Sequence, residues 1–423
     1  MARILLSAYA CEPDRGSEPG VGWSWVSELS RVGHQVWVLT RADNRTAIEP
    51  KTPANARFIY YDLPRWMQRG RNFPAGKPLY YMLWQWFAVR HVRNLFPDLP
   101  FDFVQHVTYV SARYPSFMGS LGIPFCFGPV SGGERVPVEL RKGFSTRERW
   151  RERLRDLSNW LLPFDPVLRR MFRQATKIIV TPDTVSLVPR RWRNKCGVRL
   201  AIGLSSQYRA QASAGSRRPQ RGWHLLYVGR LLDCKGVDIA LCAVRQLQQW
   251  QLDVRFTVVG DGPARARLVR LVDELGLAES VEWAGWLPQH AVEEHYGAAD
   301  LFLFPALRDS GGMVTLEAMA HGLPVVCTDL GGPGVIVSER CGRVLGTRGK
   351  SPEELAKDCA RALREIMTTQ GLWERLSAGA RDRAREFDFQ NLVTAVYPAS
   401  SAVITEHEHT LQLSALVPHD AAF

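Results

Sequence analysis

The chain has 423 residues, a formal net charge of +12, 46% hydrophobic residues and 23% charged ones. This length accommodates two domains of ordinary size, and the composition excludes a disordered, fibrous or membrane-embedded chain, since no apolar run approaches the roughly 18 residues that a span requires. The positive charge favours an acidic partner (nucleic acid, anionic lipid or a phosphorylated substrate) without choosing among them.

Eight cysteines are scattered without a Cys-x-x-Cys pair or a zinc spacing, which reads as reduced core thiols in a cytosolic protein. Residues 1–10 resemble a signal peptide only briefly, because Glu12 and Asp14 follow too soon.

In chain order, residues 3–8 are a first strand, 9–22 a glycine-bearing loop, 23–32 an amphipathic helix and 35–40 a second strand. The loop lacks a strict Gly-x-Gly-x-x-Gly. Gly16, Gly20 and Gly22 either let it approach a ligand across a cleft or form an ordinary strand-to-helix connection. Residues 56–62 are a third strand. The segment 64–96 is rich in aromatics and arginine, with Tyr80, Trp84 and Phe87 on one helical stripe. That stripe packs on the core or forms a contact surface for an acceptor or a membrane.

Residues 101–106 are a fourth strand ending in His106, at the sheet edge where open α/β folds bind ligands. A histidine there is placed to hydrogen-bond a sugar hydroxyl. A fifth strand at 123–127 leads into the glycine loop 128–134. Between 141 and 173 stand ten Arg or Lys against four acids, with Trp150, Leu154, Leu157 and Leu161 on one stripe. This is a basic amphipathic helix, whose apolar face either packs on the sheet or docks on an anionic leaflet. A further strand covers 177–181, and the polar, aperiodic stretch 205–222 is the interdomain linker.

The second half restarts the series. A strand at 223–228 ends at Gly229, and Arg230 and Lys235 follow, a fork and a mobile point charge able to clamp a diphosphate. A strand at 254–259 runs into Gly260, Asp261 and Gly262, and another at 281–284 runs into Gly285 and Trp286. The apolar run 301–305 precedes Asp309, Ser310, Gly311 and Gly312. A helix then starts at Met313 and Val314 and stops at Gly322 and Pro324.

The unpaired N–H groups and the dipole of that helix suit an anion, and the glycines allow close approach. Glu317, just over a turn in, can accept from ribose hydroxyls, and Asp309 from those of a second sugar. Residues 352–396 read as helical, and 399–423 as a mobile tail.

Two of these segments resemble the donor-phosphate and paired-acid motifs of retaining GT-B glycosyltransferases of family GT4, most specifically at residues 228–236 and 313–326. Asp309 stands where the first glutamate of that pair is usual, and Gly311 where an aromatic is common. The resemblance, which covers roughly residues 3–397, implies an α/β GT-B fold of two Rossmann-like, doubly wound domains facing a central cleft. Residues 1–204 would bind the acceptor, 205–222 link the domains and 223–385 bind the nucleotide sugar. Residues 386–398 would cross back to the first domain, and 399–423 would form the tail.

The implied activity is retaining, metal-independent transfer from a nucleoside-diphosphate sugar to a saccharide or lipid-linked acceptor in cell-surface polysaccharide or glycolipid synthesis. Arg230, Lys235, Glu317 and His106 would be the catalytic set. Gly16, Gly20, Gly229, Asp261, Gly262, Trp286, Asp309, Gly311, Gly312, Met313 and Val314 would bind the donor. The chain has no Asp-x-Asp, so no metal or cofactor is expected, and no nucleic acid. A cytoplasmic location, peripheral at the inner leaflet on an anionic membrane surface, accords with the charge. The rival readings are a nonhydrolysing sugar-nucleotide epimerase, a glycogen-synthase-like polymerase, most of which are longer than this chain, and an inactive sugar-nucleotide-binding subunit.

Overall fold

The computed structural model describes residues 1–69, 76–200, 202–204, 208 and 222–397. Arg71, Phe73, nearly all of the expected linker and the whole expected tail lie outside the described residues.

The first sheet comprises β1 (Arg3–Ser7), β2 (Gln35–Arg41), β3 (Ala56–Tyr61), β4 (Phe103–His106), β5 (Phe125–Val130), β6 (Lys177–Val180) and β7 (Cys196–Val198). Its strands pair in parallel in the order β3-β2-β1-β4-β5-β6-β7. The second comprises β8 (Trp223–Val228), β9 (Val254–Val259), β10 (Val281–Gly285), β11 (Leu301–Phe304), β12 (Val325–Thr328) and β13 (Gly342–Leu345), again parallel, in the order β10-β9-β8-β11-β12-β13. Helices cover both faces of such sheets, which is why β11 and β12 are apolar at nearly every position and buried throughout. The edge strands β7 and β13 were not foreseen. They are short and only half-buried, so their hydrophobic signal is weak.

In each sheet the strand order reverses once, between β1 and β4 and between β8 and β11. Such a switch point opens a crevice at the strands' carboxyl ends. The fold is therefore the expected pair of doubly wound Rossmann-like layers.

Several helices correct the reading. The first spans Ser17–Arg31, so Gly20 and Gly22 lie inside it and not in a loop. The preceding loop doubles back over the first turns. A Cβ at Gly20 would stand 1.9 Å from the Arg15 carbonyl oxygen, and one at Gly22 2.2 Å from that of Ala10. These two glycines serve a close approach of the chain to itself. On the Gly76–Leu95 helix, Tyr80 and Trp84 are buried but Phe87 is exposed, and the buried stripe continues through Ala88.

The Thr146–Leu161 helix is turned the other way from ordinary amphipathic packing. Trp150, Leu154, Leu157 and Leu161 face solvent, with Leu154 61% exposed, whereas Glu152 and Asn159 are buried. Packing of that apolar stripe on the sheet is thereby excluded. The Phe389–Val396 helix inserts Phe389, Leu392, Val393 and Val396 into a core shared with Ile4 of β1 and with Trp25 and Val26 of the Ser17–Arg31 helix. Tyr397 seals this contact by donating its hydroxyl proton to Gln105 Oε1 at 2.6 Å.

Candidate active site

The loops after β4 and β5 face those after β8 and β11 across a cavity of about 280 Å³. At its second-sheet wall, Lys235 Nζ lies 2.7 Å from Asp309 Oδ2, although 73 residues separate the two in sequence. Both side chains are nearly enclosed, 17% and 18% exposed. The other oxygen of Asp309 accepts from the N–H groups of Gly311 (3.1 Å) and Gly312 (2.8 Å).

One carboxylate thus neutralises the lysine and occupies the approach to the Met313–Ala320 helix. Among the described residues, the N–H groups of Met313 and Val314 have no protein acceptor, so two of the helix's orphan donors stay open. Gly229 follows β8, and exposed Arg230 comes next at the same edge.

Glu317 accepts a hydrogen bond from the Tyr296 hydroxyl at 3.0 Å. Burial pushes its carboxyl up to about 7; the Tyr296 bond opposes this and the Glu293 charge adds to it. A carboxyl raised in this way loses its charge as pH falls through about 7, and the ionised form is the stronger acceptor for the hydroxyls of a ligand. If Glu317 holds the ribose, the donor KM should rise as pH falls from 8 to 6. In Glu317→Gln that pH dependence should vanish. Steady-state kinetics at three pH values on both proteins would check it, and an equal slope in the variant would remove Glu317 from this role.

His106 is 1% exposed and does not line the cavity. Its Nε2 lies 3.0 Å from the Thr108 carbonyl oxygen and 2.8 Å from the Tyr81 hydroxyl. A carbonyl can only accept, so Nε2 carries the proton and Nδ1 is a buried lone pair with no partner. Burial pushes the imidazole down to about 4, with the Thr108 carbonyl opposing, so the ring is neutral at physiological pH. Its chemistry is that of a neutral acceptor for a hydroxyl, not of a cation.

Gly16 caps the Ser17–Arg31 helix with open space beside it. Asp261, Gly262 and the exposed Trp286 follow β9 and β10 at the same edge, on the far side of β8 from Asp309. The structure therefore joins Lys235, Asp309, Gly311 and Gly312 directly, sets Arg230, Asp261, Gly262 and Trp286 along the same rim, leaves His106 buried and places Gly20 within the first helix against the Arg15 carbonyl.

Sequence reasoning missed Arg113, Arg155 and Arg308, which line the cavity. Arg308 had a signal, one position before Asp309 at a strand's carboxyl end. Arg155 was hidden among the arginines of a helix whose facing periodicity left open.

Residues 209–383 match the family described as "Glycosyl transferases group 1". A relative named D-inositol 3-phosphate glycosyltransferase, from Streptomyces griseus, is 30% identical over 217 residues, 49% of this chain and 45% of that protein. The chain thus matches less than half the length of that relative. Sucrose-phosphate synthase from Thermosynechococcus elongatus superposes with a TM-score of 0.60 at 18% identity, over 94% of this chain and 97% of that one. WaaG, a glycosyltransferase involved in lipopolysaccharide biosynthesis, superposes with a TM-score of 0.59 at 20% identity, over 93% and 98%. The architecture is that of the GT-B proteins. Within it, the part of the chain that builds the second sheet is the part that matches the group 1 glycosyl transferase family.

Proposed function

We propose that this protein is a glycosyltransferase that moves a sugar from a nucleoside diphosphate to a saccharide or lipid-linked acceptor. The observation that carries this reading is the Lys235–Asp309 pair beside the open N–H groups of Met313 and Val314, at the switch point of the second sheet. A diphosphate arriving there attracts Lys235 and the helix terminus. Asp309 Oδ2, released from the lysine, is then free to accept from a hydroxyl of the transferred sugar.

As the bond to the anomeric carbon breaks, charge grows on the leaving phosphate. Arg230, Lys235 and the helix N-terminus stand ready to stabilise it without reorganising, a form of catalysis that operates with the chain's own cations. In this reading no metal takes part and the anomeric configuration is retained. Residues 1–204 bind the acceptor and 223–385 the donor. Screening UDP- and GDP-sugars for nucleoside-diphosphate release, with and without EDTA, tests it. Release abolished by EDTA would overturn the metal independence, and an inverted anomer in the product would overturn retention.

We place the acceptor at a membrane surface, in polysaccharide or glycolipid assembly. The support is the solvent-facing stripe Trp150, Leu154, Leu157, Trp160 and Leu161, continued by Phe164 and flanked by exposed Arg147, Arg149, Arg151 and Arg153. Apolar area and positive charge on one face suit an anionic leaflet. No helix among the described residues is long and apolar enough to cross a membrane. Binding to phosphatidylglycerol vesicles at low salt should weaken at least about tenfold in the double variant Trp150→Glu/Leu154→Glu, the loss expected on removing buried apolar area. Cosedimentation equal to that of the unaltered protein would refute the surface.

A further inference from the structure

Three arginines reach one cavity from three different elements: Arg113 after β4, Arg155 on the Thr146–Leu161 helix and Arg308 after β11. Their charges are unevenly matched. Arg308 pairs with buried Glu152 and also donates to Cys234 Sγ at 3.4 Å. Arg113 donates to the Gly132 carbonyl at 2.8 Å and to Asn159, both neutral acceptors. Arg155 has no hydrogen bond or ion pair among the described residues, although it is only partly exposed.

The one carboxylate of the first-sheet wall, Glu134, is already engaged by the Gly132 N–H and the Thr181 hydroxyl. Burial, and then the Arg155 charge, pushes the Arg113 guanidinium down to about 10, with Glu134 opposing. Crowded cations with too few anions mark a site that is complete only with an anion in it.

The position says which anion. The donor diphosphate has its own cations, Arg230 and Lys235, at the second-sheet edge. Arg113 and Arg155 belong to the first-sheet wall, across from Asp309. The geometry points to a phosphate ester on the acceptor, held by Arg113, Arg155 and Arg308 while its hydroxyl faces the donor sugar. Arg155 offers an unengaged fork, and Arg113 and Arg308, though hydrogen-bonded to protein, add positive charge from two further directions, so the cluster suits a doubly charged phosphate monoester better than a singly charged carboxylate. This inference rests on the transferase reading above, and it adds the chemical class of the acceptor.

Calorimetric titration of the full chain, loaded with whichever of UDP or GDP it binds, separates the two. Glucose 6-phosphate should bind the loaded protein and glucose should not. Arg155→Gln should weaken glucose 6-phosphate at least tenfold while leaving the nucleotide affinity within twofold. Arg155→Lys, which keeps the charge and loses the fork, should fall between. Vesicles containing phosphatidic acid, run on the same variants, tell a lipid phosphate from a soluble one, and dependence on Arg155 in either arm supports the site.

Glucuronate binding as tightly as glucose 6-phosphate would overturn the phosphate assignment. Nucleotide affinity falling in step with Arg155→Gln would make these arginines part of the donor clamp. Absence of any second anion would also overturn the inference. Failure to bind either nucleotide would count against the donor reading alone, and the anion titration would then decide the acceptor site on the free protein.

Discussion

Lys235→Ala is expected to lower nucleoside-diphosphate release about a hundredfold, the loss found when one preorganised electrostatic contact to a developing charge is removed. The effect should fall on kcat more than on the donor KM. The lysine meets some charge in the ground-state diphosphate but more as the glycosidic bond breaks.

The ion pair with Asp309 complicates the reading, because removing Lys235 also leaves a carboxylate without its cation. Asp309→Asn separates the two contributions. It abolishes the ion pair but keeps the positive charge of Lys235 beside the phosphate, so kcat should drop less than in Lys235→Ala. Equal losses would mean that Lys235 acts only by positioning Asp309. An unchanged kcat/KM in Lys235→Ala would remove the lysine from the reaction.

Gly236→Ala should destabilise the fold by roughly 3 kcal/mol, combining about 1–2 kcal/mol for the left-handed backbone with a steric cost of similar size. Gly236 has φ +68°, and a Cβ there would lie 2.1 Å from the Pro305 carbonyl oxygen. The loop that carries Lys235 is thereby pressed against the end of β11, four residues before Asp309.

Gly276→Ala is the matching control. Its φ is +67°, but no atom lies within 4 Å of the added carbon, so it should lose only the backbone share. Urea unfolding of both variants reads the difference directly. Equal midpoints would show that the close approach at Gly236 costs nothing. A Gly236→Ala protein that folds should also lose Lys235–Asp309 geometry, with the same fall in kcat as the lysine variant.

The sequence by itself determined the sheets and the rim. Strands buried on both faces, such as β11 and β12, are apolar runs that scarcely any other element explains. Arg230, Lys235, Asp309 and Glu317 stand in local patterns that mark strand ends and a helix start. Edge strands β7 and β13 stayed hidden because half-buried residues need not be apolar.

Periodicity also showed that Trp150, Leu154, Leu157 and Leu161 share a face. It could not say which way that face points, since a stripe defines an axis of rotation and not the body it packs against. Only the tertiary structure turned the stripe outward, because the opposite face carries Glu152 to Arg308 and Arg155 to the cavity. Those contacts lie across the two sheets and more than 150 residues apart, as Lys235 and Asp309 are apart by 74. The Glu152–Arg308 contact depends on how the two sheets meet, and the Lys235–Asp309 pair on β8 and β11 lying side by side in one sheet; no local pattern of residues encodes either.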